Sequence, residues 1–238
     1  MYSKISENYH HVCDRIYHAA RLSGRNPDMI RLVVVTKTQS IETIKAAIDA
    51  GATDLGENYI EEAIQKISAI TDNKYINWHM IGHVQSRKAL QVCENFQFLH
   101  SLDSIKLAER LSKRLNEIEK ILPVMLEVNV SGEESKSGWN LSEVRSWGNF
   151  FDGIDRIRSL PGLKLSGVMT IPPFSENPED SRYYFKQLYG IKEMITEKYN
   201  LSGFSELSMG MSNDYEIAIQ EGSTCVRIGQ AIFGQRNN

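Results

Sequence analysis

The stretch VVVTKTQS, residues 33–40, sets a lysine at the end of a run of valines. The three valines are typical of a strand that is buried on both faces, and the residues from Thr38 onward are typical of a loop. Lys37 is therefore predicted to stand where the chain leaves a buried strand. Lysine is common at protein surfaces, so this position assigns no role by itself, and the rest of the sequence must decide.

Strand-like apolar runs alternate with amphipathic helical patterns along the chain. One such pattern begins at Ile41 and recurs at Ile44 and Ile48, as on one face of a helix. The segment 141–160 is also predicted to be helical, although two glycines interrupt it. The eight predicted strands are LVVVTK (32–37), TDLGEN (53–58), INWHMIG (76–82), FLHSLD (98–103), PVMLEVNV (123–130), LKLSGVMTI (163–171), SELSMG (205–210) and TCVRIG (224–229).

Eight β-α units predict an α/β fold in the form of a single (β/α)8 TIM barrel, in which helical crossovers connect parallel strands. An open, doubly wound sheet is the alternative. Against it, no G-x-G-x-x-G follows the first strand, and no linker or change in composition divides the chain. Ile5, Tyr9, Val12 and Ile16 predict a further helix before the first strand. We therefore expect residues 1–238 to form one barrel domain with an extra N-terminal helix.

The charge balance and the cysteines exclude several classes of protein. The chain has 238 residues with 27 basic and 30 acidic side chains, and its formal net charge is −3, which gives no basic footprint for nucleic acid. Cys13, Cys93 and Cys225 have no C-x-x-C spacing, so neither a disulfide framework nor a zinc site is predicted. No signal-peptide core and no membrane-length apolar run occurs. We expect a cytoplasmic protein that binds neither nucleic acid nor membranes.

Active-site groups of such a barrel come from the carboxyl ends of the strands and the loops that follow them. His79 and His83 lie there, but their four-residue spacing aligns metal ligands on a helix, whereas WHMIG predicts a strand that runs into a turn. We therefore expect hydrogen-bonded histidines near the barrel mouth rather than a metal site. The other candidates at strand ends are Lys37, Asn58, Asn129, Lys136, Met169, Thr170, Ser208, Arg227 and Gly229.

The loops after the seventh and eighth strands are where barrels often bind a phosphate, through backbone N–H groups and a short helix. ELSMGMSND (206–214) and VRIGQAIFG (226–234) supply glycines at both places. Gly210 and Gly229 would let the backbone approach an anion closely, and Ser208 offers a hydroxyl. The alternative is that these glycines only form tight turns.

An amine at the end of the first strand and a phosphate site at the last two strands would meet at one barrel mouth. Together they suit a phosphorylated carbonyl compound that is held by Lys37 as a Schiff base. Pyridoxal 5'-phosphate (PLP) is the leading candidate. A sugar-phosphate aldolase would also use such a lysine, so the spacing of these residues does not by itself distinguish a PLP-binding protein from an aldolase.

The sequence resembles the pyridoxal-phosphate homeostasis proteins, which are single-barrel relatives of the N-terminal domain of alanine racemase, over essentially its whole length. The matching blocks are VVVTKTQS, LGENYIEE, WHMIGHVQSRK, VNVSGEESKSG, SGVMTIPP and ELSMGMSNDYEIAIQEGSTCVRIGQAIFG. Together these blocks are far more specific than any one of them.

The resemblance implies a Schiff base between Lys37 and PLP, with Asn58 close to the ring and Arg227 beside the pyridine nitrogen. The alternative for Arg227 is a surface ion pair. Gln230 stands where many relatives have a small hydroxyl residue, which implies one side-chain bond fewer to the phosphate. The implied phosphate ligands are Ser208 and the backbone amides near Met209, Gly229 and Gln230.

Two functions remain open. The first is a carrier that buffers PLP and supplies it to apo forms of PLP enzymes. The second is a weak amino-acid racemase or another PLP enzyme. In the two-domain racemases a second domain and a partner subunit complete the site, and the chain ends at Asn238, nine residues after Gly229. We therefore expect an open mouth that suits exchange of the cofactor, in a monomeric carrier rather than an enzyme.

Overall fold

The computed structural model describes residues 2–71, 75–201 and 203–235. Eight parallel strands pair in chain order, and the pairing of the eighth strand with the first closes the barrel. The predicted TIM barrel is thus confirmed. The strands are β1 (Arg31–Val35), β2 (Asp54–Glu57), β3 (Asn77–Met80), β4 (Phe98–Leu102), β5 (Leu122–Asn129), β6 (Leu163–Met169), β7 (Glu206–Ser208) and β8 (Cys225–Ile228).

Helices surround the barrel and supply the crossovers. Side-chain caps begin two of them, since Ser40 Oγ accepts from Thr43 N–H at 3.3 Å and Ser104 Oγ accepts from Leu107 N–H at 3.4 Å. The helices are α1 (Tyr2–Leu22), α2 (Ile41–Asp49), α3 (Ile60–Ala69), α4 (Ala89–Asn95), α5 (Ile105–Glu117), α6 (Trp147–Arg158), α7 (Arg182–Tyr199), α8 (Tyr215–Gln220) and α9 (Gln230–Phe233).

The predicted N-terminal helix is present as α1, which lies against α2, α8 and α9. It buries Ile5, Val12 and Ile16 on the face that the sequence predicts. Asn8 Nδ2 donates to Ile232 O of α9 at 2.9 Å, so α1 also braces the short helix that follows β8.

The helix predicted over 141–160 begins only at Trp147. The Asn140 side chain accepts from Ser142 N–H at 3.1 Å, and this local turn competes with an earlier helix start. Gly153 lies inside α6, where an added Cβ would come within 2.6 Å of the Trp139 ring. The glycine is therefore a packing requirement rather than a helix end. Trp139–Asn140 also forms a short strand beside β5, which the sequence analysis missed.

The core is continuous between the barrel and its helices. Ile44 of α2, Leu111 of α5 and Phe185 of α7 are fully buried against the strands. In the described part of the chain, none of the helices combines the length and the apolar character that a membrane span requires.

Candidate functional site

Lys37 lies at the carboxyl end of β1 and lines a cavity of about 400 Å³ together with Gly229 and Gln230. Gly229 approaches the end of β1 so closely that an added Cβ would lie 3.0 Å from Val35 O. A side chain at this position would require the end of β1 to shift by a few tenths of an ångström, so the glycine lets the start of α9 lie close to Val35. The structure thus brings together the predicted lysine and the predicted glycine turn.

The two peptide groups beside Lys37 are held by charged side chains. Lys66 Nζ donates to Thr36 O at 2.6 Å, and Glu62 Oε1 accepts from Thr38 N–H at 2.5 Å. Thr38 has a φ of 66°, in the left-handed region that residues other than glycine rarely adopt. The hydrogen bond from its N–H to Glu62 stabilises that conformation. The backbone on both sides of Lys37 is therefore fixed by side chains of α3.

These contacts belong to an ion cluster of the buried Lys66 and Glu57 and the partly exposed Glu62. Lys66 Nζ lies 2.6 Å from Glu57 Oε1 and 2.6 Å from Glu62 Oε1, and Thr36 Oγ1 donates to Glu57 Oε1 at 2.6 Å. Burial raises the pKa of Glu57, while its hydrogen bonds with Lys66 and Thr36 oppose that rise. The sequence analysis missed this cluster, although a carboxylate at the end of an apolar strand is a signal for a buried partner.

Arg227 points into the barrel interior and is only 4% exposed. Its Nη1 donates to Ser208 Oγ at 2.5 Å, and its Nη2 donates to Thr170 O at 2.9 Å. The surface ion pair that was left open for Arg227 is therefore wrong. Burial lowers the pKa of Arg227, but a guanidinium keeps its charge at any ordinary pH.

A chain of hydrogen bonds runs from Arg227 through the interior of the barrel. Ser208 Oγ lies 2.8 Å from His100 Nδ1, and His100 Nε2 lies 2.9 Å from His79 Nδ1. His79 Nε2 lies 2.9 Å from Asp54 Oδ1, at the first residue of β2. The interior of the barrel thus contains a polar relay of Arg227, Ser208, His100, His79 and Asp54.

Both histidines of the relay are kept neutral by their surroundings. Burial lowers the pKa of His79, against the opposing effect of Asp54. Burial also lowers the pKa of His100, and the neighbouring His79 and Arg227 lower it further. Two neutral imidazoles can each donate one hydrogen bond and accept one, which is what a continuous relay requires.

His79 is hydrogen-bonded as predicted, but it lies inside the barrel rather than at its mouth. His83 does lie at the mouth, where its Nδ1 is 2.8 Å from Asp103 Oδ2. The two histidines therefore have different partners. In the described ranges of the chain, no three His, Cys, Asp or Glu side chains are grouped as metal ligands would be.

Ser208 and Met209 are both fully buried. The Ser208 side chain is fully buried between His100 and Arg227, and the Met209 N–H donates to Cys225 O at 3.1 Å within the sheet. The geometry therefore favours Ser208 as a support for Arg227.

Ser212 is the hydroxyl that lies nearer to the glycine turn, and the sequence analysis missed it. Its Oγ accepts from Ala231 N–H at 3.2 Å, next to Gln230 in α9. The sequence does contain a signal for it, because Ser212 follows Gly210 in the same predicted loop.

Asn58 and Glu127 line a second cavity, of about 230 Å³, at the same barrel mouth. Asn58 Oδ1 and Glu127 Oε2 have no hydrogen-bond partner among the described residues. Gly82 packs on the Asn58 backbone, since a Cβ on Gly82 would lie 2.5 Å from Asn58 O. Lys136 lines this cavity as well, and its Nζ is 2.6 Å from Glu133 Oε2.

Three further candidate residues, Asn129, Thr170 and Met169, have structural contacts within the barrel. Asn129 Oδ1 accepts from Gly132 N–H at 2.9 Å and so shapes the loop after β5. Thr170 Oγ1 donates to Val128 O at 2.7 Å, and Met169 is fully buried. Thr170 and Met169 therefore serve the core, whereas Asn129 also lines the second cavity.

Comparison with known proteins identifies the family. The alanine racemase N-terminal domain family matches residues 14–237 of the chain. A pyridoxal phosphate homeostasis protein of Vibrio alginolyticus is 38% identical over 239 residues, which covers 99% of both chains. One of Pseudomonas aeruginosa is 40% identical over 236 residues, covering 99% of this chain and 97% of that protein. The chain belongs to the pyridoxal phosphate homeostasis protein family.

Solved structures with the same fold include a protein with PLP bound. The structure of PipY of Synechococcus elongatus, solved with PLP bound, matches this chain with a TM-score of 0.79 and 30% sequence identity. The match covers 94% of this chain and 100% of PipY. An alanine racemase of Clostridium difficile has a TM-score of 0.70 at 14% identity. This second likeness shows a shared barrel fold. The homologous homeostasis proteins confirm the family that the sequence blocks indicate.

Proposed function

We propose that residues 1–238 act as one PLP-binding domain, with Lys37 holding the cofactor as a Schiff base. When bound, PLP supplies a reactive aldehyde and an electron-withdrawing ring. The observation that carries this proposal is the meeting of Lys37, Gly229 and Gln230 in one cavity at the barrel mouth. The names of the homologous homeostasis proteins and the PLP-bound PipY support it.

The residues at the mouth fit a phosphorylated pyridine. Gly229 and Gln230 would present backbone N–H groups to the phosphate, with the Ser212 hydroxyl beside them. Asn58, which lines the second cavity at the same mouth, would contact the ring. Arg227 would face the pyridine nitrogen. In this arrangement Ser208 and Met209 lie below the cofactor. Ser208 orients Arg227 through its hydrogen bond, and Met209 packs in the core.

We propose that the protein is a carrier, which buffers PLP and supplies it to apo forms of PLP enzymes. A permanently charged Arg227 at the pyridine nitrogen would oppose ring protonation, and an unprotonated ring stabilises a carbanion poorly. PLP enzymes that depend on ring protonation commonly place an acidic residue there. The carrier would thus hold PLP without consuming amino acids. We further propose that it acts as a monomer in the cytoplasm.

The second candidate, a weak amino-acid racemase, is favoured by the shared fold with alanine racemase. One experiment separates the two functions. The PLP-loaded protein is mixed first with an apo form of a PLP enzyme and then, separately, with L-alanine. The carrier proposal expects recovery of the recipient enzyme's activity and no D-alanine. Formation of D-alanine without transfer of PLP would favour the racemase.

A further inference from the structure

Glu127 is a single carboxyl group in an otherwise apolar stretch of β5. Its side chain is 7% exposed, and its Oε2 has no hydrogen-bond partner among the described residues. Native proteins rarely leave a buried polar atom unpartnered, so an exception calls for a missing ligand or a chemical role. Glu127 therefore marks a place where a hydrogen-bond donor is expected.

The surroundings of Glu127 favour its protonated form. Burial raises the pKa of Glu127 to about 7, the nearby Asp103 adds to the rise, and Arg227 opposes it. A carboxyl group that titrates near neutral pH can both give and take a proton there. This property agrees with the geometry of the cavity but does not by itself assign a ligand.

The cavity around Glu127 contains a second unpartnered acceptor. Asn58 Oδ1 also lacks a partner among the described residues and lines the same space of about 230 Å³. The His83 ring lies 2.8 Å from Asp103, and Lys136 Nζ lies 2.6 Å from Glu133 Oε2 without an aligned hydrogen bond. Neither side chain is a hydrogen-bond partner of Glu127 Oε2 or Asn58 Oδ1. Two acceptors thus face one cavity.

A primary amine is the class of ligand that satisfies both acceptors. An ammonium group has three N–H donors and a positive charge, whereas a carboxylate ligand has no donor and would be repelled by Glu127. Ile171 lines the cavity and is 39% exposed, so an amine can reach it from solvent.

We propose that Glu127 and Asn58 form the receiving site for the primary amine that takes the PLP aldehyde carbon from Lys37. This inference rests on the proposed function. The incoming ammonium gives a proton to the Glu127 carboxylate, and its nitrogen then forms a bond to the aldehyde carbon. The bond from that carbon to the Lys37 nitrogen breaks, the two protons left on the incoming nitrogen pass to the Lys37 nitrogen, and the proton held by Glu127 completes the ammonium group of the departing lysine. No oxidant or further reactant is consumed.

The transfer experiment uses the full-length protein loaded with PLP and Nα-acetyl-lysine as the probe amine. Glu127→Gln keeps the size of the side chain but cannot take the proton. The rate at which this variant transfers PLP to Nα-acetyl-lysine is expected to fall about a hundred-fold. In the wild type the rate should rise with pH as Glu127 ionises, and this rise should be absent in the variant. Affinity for PLP should stay within about two-fold, a change of less than 1 kcal/mol. Glu134→Gln, which makes the same change at an exposed position of the loop after β5, is the matched control and should keep the rate.

Two results would overturn the inference. One is an unchanged transfer rate and pH profile in Glu127→Gln. The other is a large loss of PLP affinity in that variant with normal transfer, which would make Glu127 a contact of the cofactor itself.

A second measurement uses the protein without PLP, so that failure of the proposed function is distinguishable. The 13C signal of the Glu127 carboxyl group, assigned by its loss in Glu127→Gln, is followed by NMR as methylamine is added. A downward move of its titration midpoint supports the amine site even if PLP does not bind Lys37. A midpoint that methylamine does not move contradicts the site.

Discussion

His79 Nε2 and Asp54 Oδ1 lie 2.9 Å apart inside the barrel, and this contact sets the order of protons along the whole relay. The carboxylate of Asp54 can only accept, so a neutral His79 donates to it from Nε2 and accepts at Nδ1 from His100 Nε2. His100 Nδ1 then accepts the proton of the Ser208 hydroxyl, which in turn accepts from Arg227 Nη1. The relay therefore requires two neutral imidazoles with the proton on Nε2.

The first prediction concerns these tautomers. In 15N NMR of the histidine side chains, His79 and His100 should both appear as neutral rings protonated at Nε2 between about pH 7 and pH 8. The signals are assigned by their loss in His79→Asn and His100→Asn. A proton on Nδ1 of either ring, or a charged imidazolium in this range, would show that the relay does not run in the assigned direction.

The second prediction concerns the ion cluster that holds the backbone beside Lys37. Lys66→Met leaves the carboxyl group of Glu57 buried without its cation, and the expected loss is about 3–5 kcal/mol in the free energy of unfolding. Urea denaturation measures it. The double variant Lys66→Met, Glu57→Gln should recover part of the loss. Lys113→Met, at an exposed position of α5, should change stability by less than about 0.5 kcal/mol. A similarly small change in Lys66→Met would refute the role of the cluster.

The third prediction follows from the pKa of Glu127, which burial raises to about 7. The folded protein keeps this proton at pH values where the unfolded chain, with a pKa near 4.3, has lost it. The proton's contribution to stability is therefore present in acid and is lost as the pH rises towards 7. Relative to wild type, Glu127→Gln should gain about 3 kcal/mol between pH 4 and pH 8. Parallel pH profiles of the two proteins would contradict the raised pKa.

The fold could be predicted from the sequence because a TIM barrel repeats one simple pattern. Each buried strand is a short apolar run, and each crossover is an amphipathic helix, so all eight strands could be recognised. The position of Lys37 beside Gly229 followed from the same logic, since the carboxyl ends of neighbouring parallel strands meet at one mouth.

The direction of the polar side chains could not be predicted from the same pattern. A strand that is buried on both faces shows no alternation of polar and apolar residues, so nothing in ELS tells whether Ser208 faces the mouth or the interior. The pairing of Glu57 with Lys66 joins a strand to the following helix through tertiary packing. Such pairs depend on helix orientation, which local spacing does not give.

The fourth prediction tests Arg227 as the group that keeps PLP a poor electron sink. Arg227→Glu should favour a protonated ring and accelerate slow transamination of added alanine at least about ten-fold, or about 1.4 kcal/mol in the barrier. The absorbance of the bound cofactor reports both the ring state and the half-reaction. Arg227→Gln, which removes the charge without adding an acid, should fall between wild type and Arg227→Glu. A glutamate variant that retains PLP and reacts no faster would argue against this role.

The central claim is that Lys37 carries the cofactor, and reductive trapping tests it most directly. The purified protein is loaded with PLP and treated with borohydride, and the labelled peptide is then identified by mass spectrometry. We expect the pyridoxyl label on Lys37 and its loss in Lys37→Ala, whereas Lys136→Ala should keep the label in place. Label that persists chiefly on Lys136 or on another lysine of the wild-type protein would contradict the account.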